Sequence, residues 1–211
     1  VVITFDDAYR SVLREGFPIL SRLGVPATVF APTAFVGSGE PMAWQGMDQW
    51  LGTAHEGELA PMSWDELRRL RDEGWEIGSH SRTHADLARL DSTNLAIELS
   101  GSREECEAEL RRPCATLAYP FSSYDHRVKD AARAAGYAAA VILDNEVAIP
   151  PEAIPRLSKA DSERFELLRS GIYRDDGQGR FIAKTSRLAR RVRASKPVRL
   201  AMRSRSSRVS A

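Results

Sequence analysis

Residues 74–84 read Gly74-Trp75-Glu76-Ile77-Gly78-Ser79-His80-Ser81-Arg82-Thr83-His84, a short apolar run that stops abruptly in a polar, histidine-bearing cluster. A strand of four or five residues feeding a loop of chemically active side chains is the signature of a strand end that carries function. Two other places repeat it. Val1-Val2-Ile3-Thr4-Phe5 is an apolar, β-branched run of buried-strand type stopped by Asp6-Asp7, and Ala115 to Tyr119 runs into Pro120-Phe121-Ser122-Ser123-Tyr124-Asp125.

Working outward from these junctions, helices are expected between the strands. Residues 11–23 place Val12, Phe17, Ile19, Leu20 and Leu23 on one helical face, with Gly24 as a C-terminal cap. After Pro26 a second strand is expected over 27–31. Ser63-Trp64-Asp65-Glu66 has the spacing of a reciprocal N-terminal cap and predicts a helix over 63–73. Further helices are expected over 91–110, 125–135 and 161–169, and a fifth strand over 137–143. The stretch 37–62, rich in Gly, Met and Trp and without a period, reads as an insertion or lid.

Strands alternating with helices of this length indicate parallel β/α units. The expected class is α/β, a distorted (β/α) barrel of up to seven strands, N-terminally incomplete because the chain opens inside a strand without Met. In such a barrel the chemistry sits where strands end, so Asp6-Asp7, the His80–His84 cluster and residues 119–124 should converge on one rim.

The 211 residues, 43% hydrophobic and 28% charged, suffice for one sizeable core. No apolar run approaches the roughly 20 residues that span a bilayer. Two cysteines, Cys106 and Cys114, are too few for a disulfide framework and read as buried small hydrophobes. The net charge of +1 conceals an asymmetry: residues 183–211 carry ten Lys or Arg and no acid, leaving 20 basic against 29 acidic residues in 1–182. The expected organisation is a folded domain over 1–182 and a flexible basic tail over 183–211. Membrane or other anionic contact would fall to the tail; no nucleic-acid partner is expected, because the body is acidic and has no interleaved basic and aromatic stripe. No signal-peptide pattern opens the chain, and localisation is left open.

His80 and His84, four residues apart, together with a carboxylate make a two-histidine, one-carboxylate set suited to Zn²⁺ or a neighbouring divalent ion such as Co²⁺. Either feature alone is weak, since surface histidines on a helix share that spacing and Asp-Asp also caps helices. Their common position at strand ends is what joins them. One carboxylate of the pair can hold the cation while its neighbour acts as general base, which points to metal-assisted hydrolysis of an acyl bond.

The three clusters resemble the motifs of the NodB-type polysaccharide deacetylases, carbohydrate esterase family 4. Thr4-Phe5-Asp6-Asp7 is similar to their first motif, His80-Ser81-Arg82-Thr83-His84 to their second, and Ala118-Tyr119-Pro120-Phe121-Ser122-Ser123-Tyr124-Asp125 to a variant of their third, in the same order and spacing over roughly residues 1–170. The resemblance implies removal of N-acetyl groups from the amino sugars of a polysaccharide or oligosaccharide. It implies that Asp6 is the general base, that Asp7, His80 and His84 hold the metal, and that the Phe121 backbone N–H stabilises the oxyanion. Ser81 would fix the loop by a hydrogen bond, and Tyr119, Trp44 and Trp50 would stack on sugar rings.

Two departures stand out. Ala118 occupies the place where many members carry an Arg that pairs with the base, and Arg156, in Ile154-Pro155-Arg156-Leu157, is the candidate replacement. There is also no His after His126, where members with a Leu-x-His motif keep their general acid. His55, His126 or Asp6 itself is left to protonate the leaving amine. The rival readings are a non-catalytic carbohydrate-binding remnant of the same fold and a hydrolase of a small non-sugar amide.

Overall fold

The computed structural model describes residues 2–144 and 163–186, and it divides into two compact bodies, 1–140 and 141–211. In the first, strands β1 (Thr4–Phe5), β2 (Thr28–Ala31), β3 (Glu76–Ser79) and β4 (Thr116–Ala118) lie side by side in chain order, all parallel. Thr4 pairs with Thr28, Val29 with Ile77, and Ser79 with Leu117. Parallel order in a chain this short requires a crossover between every pair of strands. The crossovers carry α1 (Phe17–Arg22), α2 (Trp64–Asp72), α3 (Ser92–Ala96) with α4 (Ser102–Leu110), and α5 (His126–Ala134). A fifth strand, β5 (Ala139–Asp144), starts beside β4, where the amides of Ala138 and Ala139 reach the Ala115 carbonyl.

Local chemistry accounts for these elements. Ser63 Oγ accepts the Glu66 amide at 3.2 Å while Glu66 returns its carboxylate to the Ser63 amide at 2.7 Å, the expected reciprocal cap of α2. Gly74, at φ +87°, ends that helix in the left-handed region and turns the chain into β3. Val29, Phe30, Ala31, Ile77, Leu117 and Ala118 of the strands are buried, as are Leu67 and Leu70 of α2, Cys106 and Leu110 of α4, and Val128 and Ala132 of α5, and α2 and α4 pack on β3. Gly78 is a steric necessity, since a Cβ there would stand 2.7 Å from the Phe30 ring and the Thr116 hydroxyl. Cys106 and Cys114 are free and buried, as expected.

The first crossover departs from expectation. A π turn, Val12–Gly16, precedes α1, and of the expected apolar face only Phe17 is buried, while Ile19 and Leu23 are exposed. The extra residue in a π turn rotates everything after it by about 100°, which breaks a face read from an uninterrupted 3.6-residue period. β1 is also shorter than read: it spans two residues, and Val2 is exposed.

In the second body the rest of β5 pairs in parallel with β6 (Leu167–Ser170), Val141 opposite Leu167 and Asp144 opposite Ser170. The helix expected over 161–169 is therefore corrected: its described residues form a single 3₁₀ turn, Glu163–Phe165, and then a strand. A run as short as Leu167-Leu168-Arg169-Ser170 does not distinguish strand from helix by itself, and the β5 edge decides it. α6 (Gln178–Thr185) follows, with Lys184 Nζ donating to the Gly171 carbonyl at 2.8 Å and pairing with Asp176. It runs across the 182/183 boundary inferred from charge, because composition does not mark where helical hydrogen bonding stops. No helix of the described residues is long and apolar enough to cross a membrane.

Candidate metal centre

The loops after β1, β3 and β4 bring the three motifs together, and they do so through strained backbone. Among the described residues seven non-glycine residues have positive φ; Asp7, Ala8, Ser81, His84, Phe121 and Ser122 lie in these three loops, and Arg111, which ends α4, lies elsewhere. Left-handed backbone at non-glycine residues costs of order 1 to 3 kcal/mol each and persists only where the surroundings over-determine it. Here the strain aims side chains. His80 Nε2 lies 3.4 Å and His84 Nε2 3.3 Å from Asp7 Oδ1, and the imidazoles meet edge to face at 4.8 Å between centroids. One ligand atom from each of Asp7, His80 and His84 lies within 4.8 Å of the others.

The donor set suits a divalent cation. His80 Nδ1 sits 2.8 Å from the Ala118 carbonyl, which can only accept, so that nitrogen carries a proton, and in the neutral imidazole that a cation requires the lone pair is on Nε2, the nitrogen facing Asp7. Asp7 Oδ1 is buried and makes no hydrogen bond of good geometry, an arrangement that an ion between the three groups would satisfy. Burial opposes ionisation of Asp7, but the two imidazoles whose Nε2 atoms face it outweigh burial when they are protonated, and hold the carboxyl well below the usual carboxylate range. Burial likewise works against protonation of His80, and the carboxylates of Asp7 and Asp6 overcome it and raise this imidazole. At His84 burial prevails and the pKa falls. Burial and the charge of Asp7 both push the Tyr9 phenol upward.

Around these groups the site is aromatic. The Trp44 ring stacks on His84 at 3.7 Å and 10°, and Phe121 meets the same imidazole edge-on at 4.6 Å. Phe35 and Tyr9 pack on Trp44 in turn. Trp44 from the 37–62 stretch thus joins the centre, with one face on a histidine. Trp50 does not: it is partly exposed and contacts His55 edge-on. Tyr119 is 2% exposed and stacked on Tyr124, so the sugar-stacking role expected of it is corrected on grounds of burial. Phe121 is exposed at φ +57°, and the next two amides, of Ser122 and Ser123, are taken by the Tyr119 and Pro120 carbonyls. Arg156 lies outside the described residues.

The brace of the His80–His84 loop differs from the expected one. Ser81 Oγ is buried and has no hydrogen-bond partner. Instead Glu98, buried in α3–α4, accepts the amides of Arg82 and Thr83 at 2.8 Å each and the Thr83 hydroxyl at 2.6 Å. Three bonds to a charged acceptor, at about 1.5 to 3 kcal/mol each, are of the size needed to offset the left-handed turns at Ser81 and His84. Thr33 and Ala34, after β2, add amide bonds to the Ser81 and Arg82 carbonyls, and Glu105 joins the Arg82 guanidinium to the Thr33 hydroxyl. Sequence reasoning missed Glu98, since one acid among several in a charged helix has no pattern of its own.

A family model described as polysaccharide deacetylase matches residues 1–140. Among curated proteins, YxkH of Bacillus subtilis (strain 168), named as a polysaccharide deacetylase, is 23% identical over 137 residues, covering 65% of this chain and 42% of its own length. The chain therefore spans less than half of that relative. Among solved structures, the Streptococcus pyogenes deacetylase PplD in complex with acetate superposes with a TM-score of 0.68 at 19% identity, over 88% of this chain and 70% of that one. BC0361, a polysaccharide deacetylase from Bacillus cereus, gives 0.66 at 22% identity, over 87% and 50%. A de-N-acetylase from Aggregatibacter actinomycetemcomitans gives 0.67 at 16%, over 87% and 74%. At these identities the likeness shows the fold, the distorted (β/α) barrel expected from the alternation of strands and helices.

Proposed function

The chain belongs to the polysaccharide deacetylase family, and we propose that it is a divalent-metal-dependent hydrolase removing N-acetyl groups from amino sugars of a polysaccharide or oligosaccharide. The observation that carries this reading is the convergence of Asp7 Oδ1, His80 Nε2 and His84 Nε2, with Asp6 beside them, at the ends of parallel strands. A divalent cation held there, Zn²⁺ or Co²⁺, would supply Lewis acidity, polarising the acetyl carbonyl and acidifying water.

The chain's own groups do the rest. Asp6, whose charge acts on both histidines, takes a proton from the attacking water as its oxygen bonds to the acetyl carbon. The Phe121 N–H, presented by a left-handed turn next to His84, donates to the oxyanion that forms. When the C–N bond breaks, the electron pair goes to nitrogen, and protonated Asp6 returns its proton there, leaving acetate and a free amine. Asp6 is preferred as acid because His55 and His126 are exposed, one against Trp50 and the other opening α5. Arg156 is proposed, on sequence alone, as the partner that orients Asp6.

The solved relatives named as a deacetylase, a polysaccharide deacetylase and a de-N-acetylase support the same reaction. The test is acetate release from N-acetylglucosamine oligomers by chelator-treated protein, with and without Zn²⁺ or Co²⁺. Release that depends on added metal is expected. No release with either metal, from protein that binds the oligomers, would leave the carbohydrate-binding reading in its place.

A further inference from the structure

The helical crossover between β3 and β4 is interrupted by a second π turn, Ile97–Gly101, between α3 and α4. Such single π turns in a helix recur at functional sites. Here the turn delivers Glu98, a buried acid, to the underside of the loop that runs from His80 to His84. Its Oε2 receives the adjacent amides of Arg82 and Thr83, both at 2.8 Å, and its Oε1 receives the Thr83 hydroxyl at 2.6 Å. Two successive N–H groups pointing at one oxygen form a concave anion site of the loop backbone, and the carboxylate fills it from within the fold.

We propose that Glu98 is a positioning residue of the candidate metal centre: by holding the Arg82 and Thr83 amides it sets the loop conformation in which His80 and His84 face Asp7. The inference rests on reading Asp7, His80 and His84 as metal ligands.

A closed circuit of bonds supports it. The Ser81 amide donates to Ser79 Oγ at 3.2 Å, Ser79 to Ser102 Oγ at 2.9 Å, and Ser102 to the Glu98 carbonyl at 2.6 Å. Tyr137, two residues before β5, donates to the Leu99 carbonyl at 3.0 Å. The Glu98 and Leu99 carbonyls of the π turn thus tie the helix to the end of β3, through Ser102, and to the chain ahead of β5. Glu98 is fixed relative to the loop by its backbone and fixes the loop by its side chain. Nothing in this circuit reaches a substrate; its output is the angle between two imidazoles. With the carboxylate removed, two converging, partly buried amides would lose their acceptor, and the left-handed turns at Ser81 and His84 would relax.

The test is Zn²⁺ binding by the chelator-treated full chain, by competition with a chromophoric chelator, for the wild type, Glu98→Ala and Glu98→Gln, with thermal melts and amide hydrogen exchange beside it. Loss of a group that orients a ligand typically weakens metal binding 10- to 100-fold, and that loss is expected for Glu98→Ala. Faster exchange at Arg82 and Thr83 should accompany it. Glu98→Gln, whose amide oxygen can accept the same two N–H groups, should bind within a few-fold of wild type. Wild-type affinity in a folded Glu98→Ala, or equal weakening in both variants, would overturn the positioning role while the metal reading stands. A wild type that binds no Zn²⁺ would instead remove the metal reading, and this inference with it. If Glu98→Ala does not fold, Glu98→Asp, one methylene short of both amides, takes its place with the same expected and contrary outcomes.

Discussion

The loop from His80 to His84 contributes two imidazoles to the candidate centre and the stretch 37–62 one indole, and the two segments are held in opposite ways. The loop is braced from three directions, by Glu98 on the distant helical crossover, by Thr33 and Ala34 after β2, and by Ser79 at the end of its own strand. The stretch is anchored where it begins and ends, by Gly37 to Met62, Met42 to Leu59 and Met62 to Ala8. Between those anchors, apart from Arg14 to Glu58 and the Arg10 amide to Ala60 near its end, its bonds are local: Gln49 to Gly46, Thr53 to Trp50, and the Gly52 amide to Glu56. A ligand loop must hold angles that its own sequence disfavours, so its order comes from elsewhere in the fold. A covering stretch held by its own turns can change without disturbing those angles.

The largest effects should come from the braced side. His80→Ala should abolish both Zn²⁺ retention and acetate release, exceeding the 10- to 100-fold typical of an indirect partner, because a nitrogen facing Asp7 is lost. Metal content after dialysis reads the first and a deacetylation assay the second. Next, Asp6→Asn should cost about 10² to 10⁴ in rate, the usual worth of a general base, while Zn²⁺ affinity stays near wild type. Equal loss of metal in the two variants would mean that the carboxylates' roles are exchanged.

Intermediate effects should mark the point where the covering stretch touches the loop. Trp44→Ala removes a ring stacked at 3.7 Å on His84. With aromatic pairs worth about 0.5 to 1.5 kcal/mol, Zn²⁺ affinity should fall by roughly 2- to 10-fold. Trp50→Ala, whose ring meets only His55 among these groups, should leave Zn²⁺ affinity unchanged. If the two variants lose metal equally, the stretch acts as one unit and the contrast drawn here fails.

The same contrast explains what was legible in the sequence. Strand ends were readable because short apolar runs stop at polar clusters, and the convergence of Asp7, His80 and His84 was readable because all three follow such strand ends. The cap of α2 and the glycine stop before β3 are local chemistry and came through intact. The π turns were not readable, since an added residue in a helical turn leaves no mark on composition; one misplaced the face of α1, and the other hid Glu98. β6 was misread because its identity depends on pairing with β5. The resemblance gives the brace to Ser81, and its hydroxyl is buried without a partner, a matter of geometry alone.

The smallest effect concerns the third loop, which carries Phe121 to His84 and ends at Asp125, the N-terminal cap of α5. The Asp125 carboxylate accepts the Val128 amide at 2.9 Å, and this bond, aided by Arg127 and His126 against slight desolvation, holds its pKa below the usual carboxylate value. A carboxyl depressed by folding contributes stability that is fully present above its unfolded value, about 3.9, and is lost as pH falls through the folded value. Asp125→Ala should therefore cost about 0.5 to 2 kcal/mol at neutral pH, as lost caps do, and melts repeated below pH 4 should show the difference shrinking as the wild-type cap protonates. Asp125→Asn keeps an acceptor for the Val128 amide without the charge, so it should match wild type at neutral pH and flatten the acid limb. Its pairing with Arg127 is surface-exposed and adds little. Zn²⁺ affinity should be the same in all three proteins, because the cap holds the start of α5 while the ligand loop is held by Glu98. Weakened metal binding in Asp125→Ala would show instead that the third loop, through the Phe121 contact on His84, shares in bracing the second.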